Sequence, residues 1–259
     1  MMTNKLDVQH LSYAYYDQDV ISDIDLYVAE NEFVGVVGPN GCGKSTILKN
    51  IYGALHTNRG RILLDNEPIS RMNSKQIARK MAVVGQENEF DFDFSVNEMV
   101  AMGRSPHKKL FDPDTKEDED IIMGALKRVG MLSMIDRKYS TLSGGEKQRV
   151  LIARAIAQQT DFFILDEPTN HLDISFQLQV CEIVRGLGVT VLTAMHDLNL
   201  AALFCDRIYV IKEHEVYRFG TVEEILTPEL IKEVFGVTAD VKIHPVTKKP
   251  NIIFIPNLP

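Results

Sequence analysis

The sequence predicts an α/β fold with a largely parallel core sheet. Short runs rich in β-branched residues alternate with longer amphipathic stretches, an order that places helices against a parallel sheet. Three of the runs, FVGVV, FFILD and VTVLTAM, are apolar without polar alternation, as expected of strands buried on both faces. Glycine directly follows several of the amphipathic stretches, where helices commonly end.

The predicted strands are Phe33–Val37, Arg61–Leu64, Ala82–Val84, Phe162–Asp166, Val189–Met195 and Arg207–Ile211. The predicted helices are Lys44–Tyr52 ended by Gly53, Thr115–Val129 ended by Gly130, Ser143–Gln159, and Asp173–Arg185 ended by Gly186. The segments Leu6–Val28 and Glu215–Pro259 are expected to add antiparallel β and mixed structure. No strand pattern occurs between Gln86 and Gln159, which predicts a helical insert.

The composition is that of an ordinary globular protein, with 45% hydrophobic and 25% charged residues. A net charge of −8, from 28 basic and 36 acidic residues, disfavours a nucleic-acid binder. No stretch reaches the roughly 20 apolar residues of a membrane helix, and no secretory signal is recognisable. Cys42, Cys181 and Cys205 have neither metal-ligand nor disulfide spacing. We therefore expect a cytosolic protein. The acidic run Asp112–Asp120 is expected to supply the first turn of a helix, where negative charge complements the helix dipole.

A phosphate-binding loop is predicted directly after the strand FVGVV. Glycines let backbone N–H groups turn toward phosphate oxygens, and the following helix N-terminus adds positive potential. Lys44 is expected to reach the β- and γ-phosphates of a nucleotide, and Ser45 to place its hydroxyl on Mg²⁺. The residues that fit G-x-x-x-x-G-K-[ST], with the one after it, are Gly38, Pro39, Asn40, Gly41, Cys42, Gly43, Lys44, Ser45 and Thr46.

Two carboxylates end the strand FFILD and begin the next loop. The carboxyl edge of a buried parallel strand faces the ligand crevice of an α/β sheet. Asp166 is therefore placed to hold Mg²⁺ through water, and Glu167 to polarise an attacking water. A strand ending in Asp-Glu is also common at an ordinary solvated loop, but phosphoryl transfer requires both a metal clamp and an oriented nucleophile.

The segment LSGGE opens a further amphipathic stretch. Ser143 and Glu146 fit an S-x-x-E capping box, which explains the segment as an ordinary helix start. Capping does not require the consecutive Gly144 and Gly145, which weaken a first turn. Glycines suit a backbone that must approach another group closely, such as a phosphate.

In order, these motifs resemble the nucleotide-binding subunit of an ATP-binding cassette (ABC) transporter: Walker A at Gly38–Thr46, LSGG at Leu142–Gly145, Walker B ending at Asp166, the adjacent Glu167, and then His196. The resemblance covers nearly the whole chain. It implies a RecA-like phosphate-loop core with a parallel sheet, an antiparallel β subdomain and an inserted α-helical subdomain. It divides the chain into a cassette of residues 3–240, with the insert at about 87–159, and an extension of residues 241–259.

The resemblance also implies roles for individual residues in ATP hydrolysis. Tyr15 would stack on adenine, with its neighbours Tyr13 and Tyr16 as alternatives. Gln86 would sense the γ-phosphate and, with Ser45 and Asp166, bind Mg²⁺. The catalytic residues would then be Lys44, Glu167 and His196, the last contacting the γ-phosphate.

Further implied roles concern a second copy of the chain. The nucleotide of that copy would be contacted by Ser143, Gly144, Gly145 and Glu146. Asp173 would lie at the seam between the two copies; it also suits a simple N-cap of the next helix, and it can have both roles. Glu146 stands where many family members have glutamine. We expect activity to survive this departure, because Ser143 and the glycine backbone would make the phosphate contacts.

The segment Val96–His107 (VNEMVAMGRSPH) resembles importer subunits that serve iron–siderophore, haem and cobalamin permeases, although GRSPH also suits a plain loop between helices. This resemblance implies ATP and Mg²⁺ as cofactors, separate multi-span permease subunits, and an external substrate-binding protein. It also implies a position on the cytoplasmic face of the cell membrane. Gln86 and Phe90–Phe94 (FDFDF) are expected to couple hydrolysis to the permease, with Arg104 and His107 at the far side of the same surface. Phenylalanines in this pattern also suit a sheet or core.

Two other classes fit less well. A soluble ABC ATPase acting on ribosomes or DNA usually carries two cassettes, a long coiled-coil insert or basic patches. A small-molecule kinase with a phosphate loop lacks LSGG and needs a substrate lid.

Overall fold

The structure is a computed structural model that describes residues 4–16, 18–56, 59–85, 93–109 and 112–256. Its strands are β1 (Asn4–Tyr15), β2 (Gln18–Ala29), β3 (Phe33–Val37), β4 (Arg61–Leu64), β5 (Glu67–Pro68), β6 (Ala82–Val84), β7 (Phe162–Asp166), β8 (Thr190–Ala194), β9 (Arg207–Lys212), β10 (Glu215–Thr221), β11 (Thr238–Ile243) and β12 (Pro250–Ile255). Its α-helices are α1 (Lys44–Ile51), α2 (Ser74–Lys80), α3 (Val96–Ala101), α4 (Lys116–Arg128), α5 (Gly144–Ala157), α6 (Ile174–Arg185), α7 (Leu198–Phe204), α8 (Val222–Ile225) and α9 (Pro228–Phe235). The chain forms two compact units: Met1–Arg71 with Thr190–Pro259, and Met72–Val189.

The first unit is built around strand β3. Strands β8 and β9 flank β3 in parallel, and β10 extends this sheet antiparallel to β9. Every residue of β3 is buried, which explains why its sequence is apolar without alternation. Helix α1 contributes Ile47, Leu48 and Ile51 to the core. The carboxyl end of β3, and the loop that follows it, are therefore held in place by the buried centre of the sheet.

Two antiparallel β structures complete the first unit. The sheet β2-β1-β4-β5 confirms the antiparallel prediction for the amino-terminal segment. Near the carboxyl end, β11 and β12 form a hairpin whose Ile252 is buried, and Asn199 of α7 exchanges hydrogen bonds with the Ile252 backbone at 2.7 and 3.2 Å. The tail is therefore a mixture of antiparallel β and short helices, as expected.

The second unit contains the parallel pair β6–β7 and helices α2 to α6. Between 93 and 159 the described residues form helices and turns with one isolated β-bridge, Ser95 to Lys138, which agrees with a helical insert. Helix α4 begins with the Thr115–Asp118 capping box and an acidic first turn, as predicted for the run Asp112–Asp120.

The six strands and four helices predicted with bounds are all present, and their observed ends lie within one or two residues of the predicted ones. One helix stop differs in mechanism. Helix α6 ends at Arg185 as predicted, but Gly186 has a right-handed conformation with φ −70°, and Gly188 is the left-handed residue with φ +66°. The α/β prediction, with a parallel sheet, antiparallel β and inserted helices, is confirmed.

Candidate functional site

The phosphate-binding loop in the first unit runs from the end of β3 to the start of α1. Gly43 is the N-cap of α1 and has φ +103°, in the left-handed region that favours glycine. A Cβ added there would lie 2.5 Å from Ile21 Cγ2 and 2.7 Å from the Val20 carbonyl oxygen, closer than real Cβ atoms come. Glycine is therefore required both by the backbone conformation and by the packing against β2. The helix that follows directs its first N–H groups toward the loop, as in anion-binding sites.

Lys44 lies inside this loop rather than in solvent. Its Nζ donates hydrogen bonds to the carbonyl oxygens of Gly38 at 2.9 Å and Pro39 at 3.0 Å, and the residue is 4% exposed. A buried ammonium next to a helix N-terminus produces a local positive potential that suits a polyphosphate.

The other loop residues differ in exposure. Cys42 and Thr46 are buried, Pro39 and Ser45 are half-buried, and Asn40 and Gly41 are exposed. Burial raises the pKa of the Cys42 thiol, which favours the neutral form.

Two further predicted residues of the first unit lie at strand ends. Tyr15 is the last residue of β1; its ring is 44% exposed and meets the Tyr13 ring edge-on at 5.0 Å between centroids. Tyr16 is fully exposed. His196 is exposed and follows β8, and the next residue, Asp197, caps α7 by accepting from two backbone N–H groups.

The two predicted carboxylates lie in the second unit, where β7 ends. Asp166 is 2% exposed, whereas Glu167 is half-buried and has φ +55°. A non-glycine residue in the left-handed region costs of the order of 1–3 kcal/mol, and such residues concentrate at functional sites. The side-chain amide of Asn170 donates to Glu167 Oε2, so the carboxylate is oriented by a hydrogen bond.

The LSGGE segment, Leu142–Glu146, is called the signature, and it forms the capping box that its sequence predicts. The backbone N–H and the hydroxyl of Ser143 both donate to Glu146 Oε2 at 2.8 Å. These two hydrogen bonds lower the pKa of the Glu146 carboxyl. Ser143 and Gly144 are exposed, so the start of α5 presents a hydroxyl and backbone N–H groups at the surface of its unit.

Asp173 is the N-cap residue of α6 and is exposed, but its side chain makes no capping hydrogen bond within the described residues. The structure therefore supports the helix-cap interpretation of Asp173 only in part. The position is that of a cap, while the carboxylate points elsewhere than to the first N–H groups of the helix.

Arg104 and His107 do not share an exposed surface, so that expectation is wrong. Arg104 is 6% exposed; its Nε donates to Asp118 Oδ1 and its Nη1 to the Ala157 carbonyl oxygen, both at 2.8 Å. The hydrogen bond from Arg104 holds the pKa of Asp118 well below its ordinary value. Arg104 of the GRSPH segment therefore links α4 to the end of α5. The sequence does not predict this contact, because arginine is seldom buried.

Comparisons with known proteins identify the family. A family profile described as ABC transporter matches residues 21–170, more than half of the chain. The chain belongs to the ABC transporter family.

Close relatives among ABC proteins extend over almost the whole chain. The iron(3+)-hydroxamate import ATP-binding protein FhuC of Bacillus subtilis is 38% identical over 95% of this chain and 93% of its own. The hemin import ATP-binding protein HmuV of Pseudomonas putida is 38% identical over 96% of this chain and 99% of its own. A solved metal-chelate type ABC transporter in an inward-facing conformation superimposes with a TM-score of 0.85, at 26% identity and 98% coverage of both chains.

Membership of the ABC family confirms the fold and a nucleotide-binding function.

Gln86 and residues 90 and 92 of the FDFDF segment lie outside the described residues. In the described part of the chain no helix is long and apolar enough to cross a membrane, and no group of three His, Cys, Asp or Glu side chains is arranged to hold a metal ion. Mg²⁺ in nucleotide sites needs only one or two protein oxygens besides phosphates and water. The Ser45 hydroxyl and the Asp166 carboxylate are donors of that kind.

Phe176 was not predicted to contribute to the site. It follows Asp173 on α6 and packs against Gly145 of the signature. The available signal was the second glycine of LSGG, where an added Cβ would collide with this ring.

Proposed function

We propose that this ABC protein hydrolyses ATP to drive uptake of an iron–siderophore, haem or cobalamin-type substrate through separate multi-span permease subunits. The observation that carries the proposal is its near full-length similarity to two import ATP-binding proteins, one for iron(3+)-hydroxamate and one for hemin. The substrate itself would be captured by an external binding protein. The chain would lie at the cytoplasmic face of the membrane, bound to its permease.

The proposed chemistry in the first unit is phosphate binding. Lys44 leaves its two carbonyl partners, Gly38 and Pro39, for the β- and γ-phosphate oxygens of ATP. Tyr15, exposed at the end of β1, stacks on adenine. His196, exposed after β8, contacts the γ-phosphate.

The proposed chemistry in the second unit is activation of water. Glu167 orients and polarises the attacking water, with its carboxylate fixed by Asn170. Asp166 and Ser45, together with Gln86, would hold Mg²⁺, which neutralises charge developing on the phosphate oxygens.

A second copy of the chain completes each site in this proposal. Ser143, with the Gly144 and Gly145 backbone, covers the γ-phosphate bound by the other copy, and Asp173 lies at the seam. We further propose that residues 3–240 form the cassette, with a helical insert at about 87–159, and that Gln86 relays nucleotide state to the permease.

The importer proposal is tested with the tagged chain isolated from its own cells in mild detergent. We expect a multi-span permease, identified by mass spectrometry, to co-purify and to raise the ATPase rate. The Lys44→Ala variant should bind the same permease without hydrolysing ATP. A chain recovered only free of membrane protein would contradict the proposal.

The substrate class is tested by deleting the gene and measuring uptake of radiolabelled ferric hydroxamate, haem and cobalamin. Uptake of one of the three should fall and return with the wild-type gene but not with Lys44→Ala. Normal uptake of all three would place the substrate in another class.

A further inference from the structure

The signature and the loop before α6 are packed together inside the second unit. Leu172 Cδ2 lies 3.8 Å from the position that a Cβ on Gly144 would occupy. The Phe176 ring lies closer still: a Cβ on Gly145 would be 2.6 Å from its Cγ and Cδ1 atoms, closer than real Cβ atoms come to any neighbour. The aromatic ring therefore fills the space that any side chain at Gly145 would need.

Arg149, one helical turn after Gly145 on α5, contacts the same ring. Positions four apart lie on one face of a helix, so Gly145 and Arg149 line the same stretch of surface. The Arg149 guanidinium carbon is 5.3 Å from the centroid of the Phe176 ring, within cation–π distance. Its Nε is buried and has no hydrogen-bond partner among the described residues. The Phe176 ring is thus a described contact of a guanidinium whose buried Nε has no acceptor among the described residues.

The start of α6, which carries Phe176, is tied to the loop after β7 by the neighbouring residue. Phe176 lies in the first turn of α6, three residues after Asp173. In the same turn the Gln177 side-chain amide donates to the Thr169 carbonyl oxygen at 3.1 Å. This hydrogen bond ties the start of α6 to the loop that carries Asp173, so Phe176 connects that loop to the start of α5.

We propose that Phe176 is a positioning residue that sets the signature of one copy for the nucleotide of the other. The inference rests on the proposed function, since it assumes that Ser143 and Asp173 both face a second copy. The first turn of α5 contains two glycines, which restrain a backbone weakly. The Phe176 ring restrains it from outside, so that the hydroxyl and N–H groups of the signature reach the partner's γ-phosphate together with the Asp173 loop.

The first test separates nucleotide binding from turnover. For Phe176→Ala we expect unchanged binding of a fluorescent ATP analogue at low protein concentration, because the phosphate loop lies in the other unit. The rate at saturating ATP should fall about 10- to 100-fold, as expected for a misplacement of the order of 1 Å. Phe176→Leu, which keeps apolar volume, should recover part of the rate.

Val184→Ala is the matched control. Val184 is fully buried on the same helix α6, two turns beyond Phe176. It should lower thermal stability while leaving turnover near the wild-type value. Equal losses of turnover in Phe176→Ala and Val184→Ala would reduce the role of Phe176 to general packing and overturn the proposal.

The decisive test mixes two impaired variants in a single-turnover assay with protein in excess over ATP. In a mixed dimer of Phe176→Ala with Glu167→Gln, one site has the phosphate loop and Glu167 of the first variant facing the intact signature of the second. Hydrolysis should therefore return on mixing, well above the sum of the separate rates. Absence of recovery would mean that Phe176→Ala damages its own chain's site, which contradicts the proposal.

The same series distinguishes this inference from the function on which it rests. If wild-type activity were proportional to protein at every dilution and no ATP-dependent dimer formed at the highest concentration, the two-copy site itself would fail. If wild-type activity rises more steeply than concentration and the mixed variants show no recovery, only the role of Phe176 fails.

Discussion

Glu167 combines a strained backbone with an oriented carboxylate. Its φ of +55° lies in the left-handed region, which is costly for a residue other than glycine, and the Asn170 amide donates to one carboxylate oxygen. The immediately preceding Asp166 is buried at the strand end, so adjacent carboxylates occupy unlike environments. That difference suits two different tasks, metal binding for the buried group and water activation for the half-buried one.

Glu167→Gln is expected to abolish turnover while strengthening ATP-bound dimers. The amide keeps the shape and can accept the Asn170 hydrogen bond, but it cannot act as a base, which costs about 10²–10⁴-fold in rate. It also removes negative charge beside the γ-phosphate. Dimers are measured by size exclusion with Mg-ATP. Glu182→Gln, an exposed change on α6, is the control, and near-normal ATPase activity in Glu167→Gln would refute the assignment.

Lys44→Ala is expected to fail at an earlier step. The ammonium is the buried cation of the loop, so its loss removes the attraction for the phosphates themselves. Equilibrium titration with a fluorescent ATP analogue should show weakened binding, in contrast to Glu167→Gln. Unchanged affinity would show that the backbone N–H groups alone hold the phosphates.

At the scale of secondary structure, the GRSPH segment depends on one buried ion pair. Asp118→Asn should destabilise the protein by about 3–5 kcal/mol, because it leaves Arg104 buried without a counter-charge. Asp114→Asn is the matched control. Both Asp118 and Asp114 pair with Lys108, but the Asp114 side chain is 57% exposed, and loss of its charge should cost about 0–1 kcal/mol. Urea unfolding followed by circular dichroism measures both. Similar losses for the two variants would contradict the distinction.

The same ion pair predicts a pH dependence. The folded state lowers the pKa of Asp118, so its contribution to stability is present above the unfolded pKa of about 4 and is lost as the pH falls below it. The stability difference between wild type and Asp118→Asn should therefore be constant from neutral pH down to about pH 5 and shrink below pH 4. A difference that stays constant into this acid range would rule out the charge as its origin.

The elements that the sequence predicted best share a physical cause. Buried runs such as Phe33–Val37 and Phe162–Leu165 are apolar throughout because both faces of the strand are covered. Short elements such as α2 and α8 were not foreseen, since one or two helical turns contain too little periodicity. They begin with capping boxes, Asn73 with Gln76 and Thr221 with Glu224, and these were the available signals.

The site was predictable where a motif is local and unpredictable where it depends on distant contacts. Two of its parts, the loop Gly38–Thr46 and the strand that ends at Asp166, are each a continuous stretch of sequence, so the spacing of residues within each stretch is enough to predict them. Arg104 meets Ala157, more than fifty residues away, and Phe176 meets Gly145 across two helices. A single sequence contains no record of such pairs.

At the scale of the whole molecule, the candidate site residues are divided between the two compact units. Lys44, Tyr15 and His196 belong to the first unit, and Asp166, Glu167 and the signature belong to the second. In the proposed function, nucleotide binding and water activation therefore depend on different units, which is why variants in the two units are expected to fail in different assays.

Assembly of two copies should make hydrolysis by the isolated protein steep in protein concentration. If the signature of one copy completes the site of another, the active species is a dimer, and its amount rises with the square of protein concentration below the dimer dissociation constant. Doubling the protein there should raise the rate about fourfold, and the dependence should become linear once dimers saturate. The measurement is phosphate release at fixed Mg-ATP over a wide dilution series, with Lys44→Ala as the background. Ser143 and Gly144 are exposed in the single chain, which is the state that a partner's phosphate requires of them. A rate proportional to protein at every dilution, with no ATP-dependent dimer at the highest concentration, would mean that one chain hydrolyses ATP alone and that the signature serves another purpose.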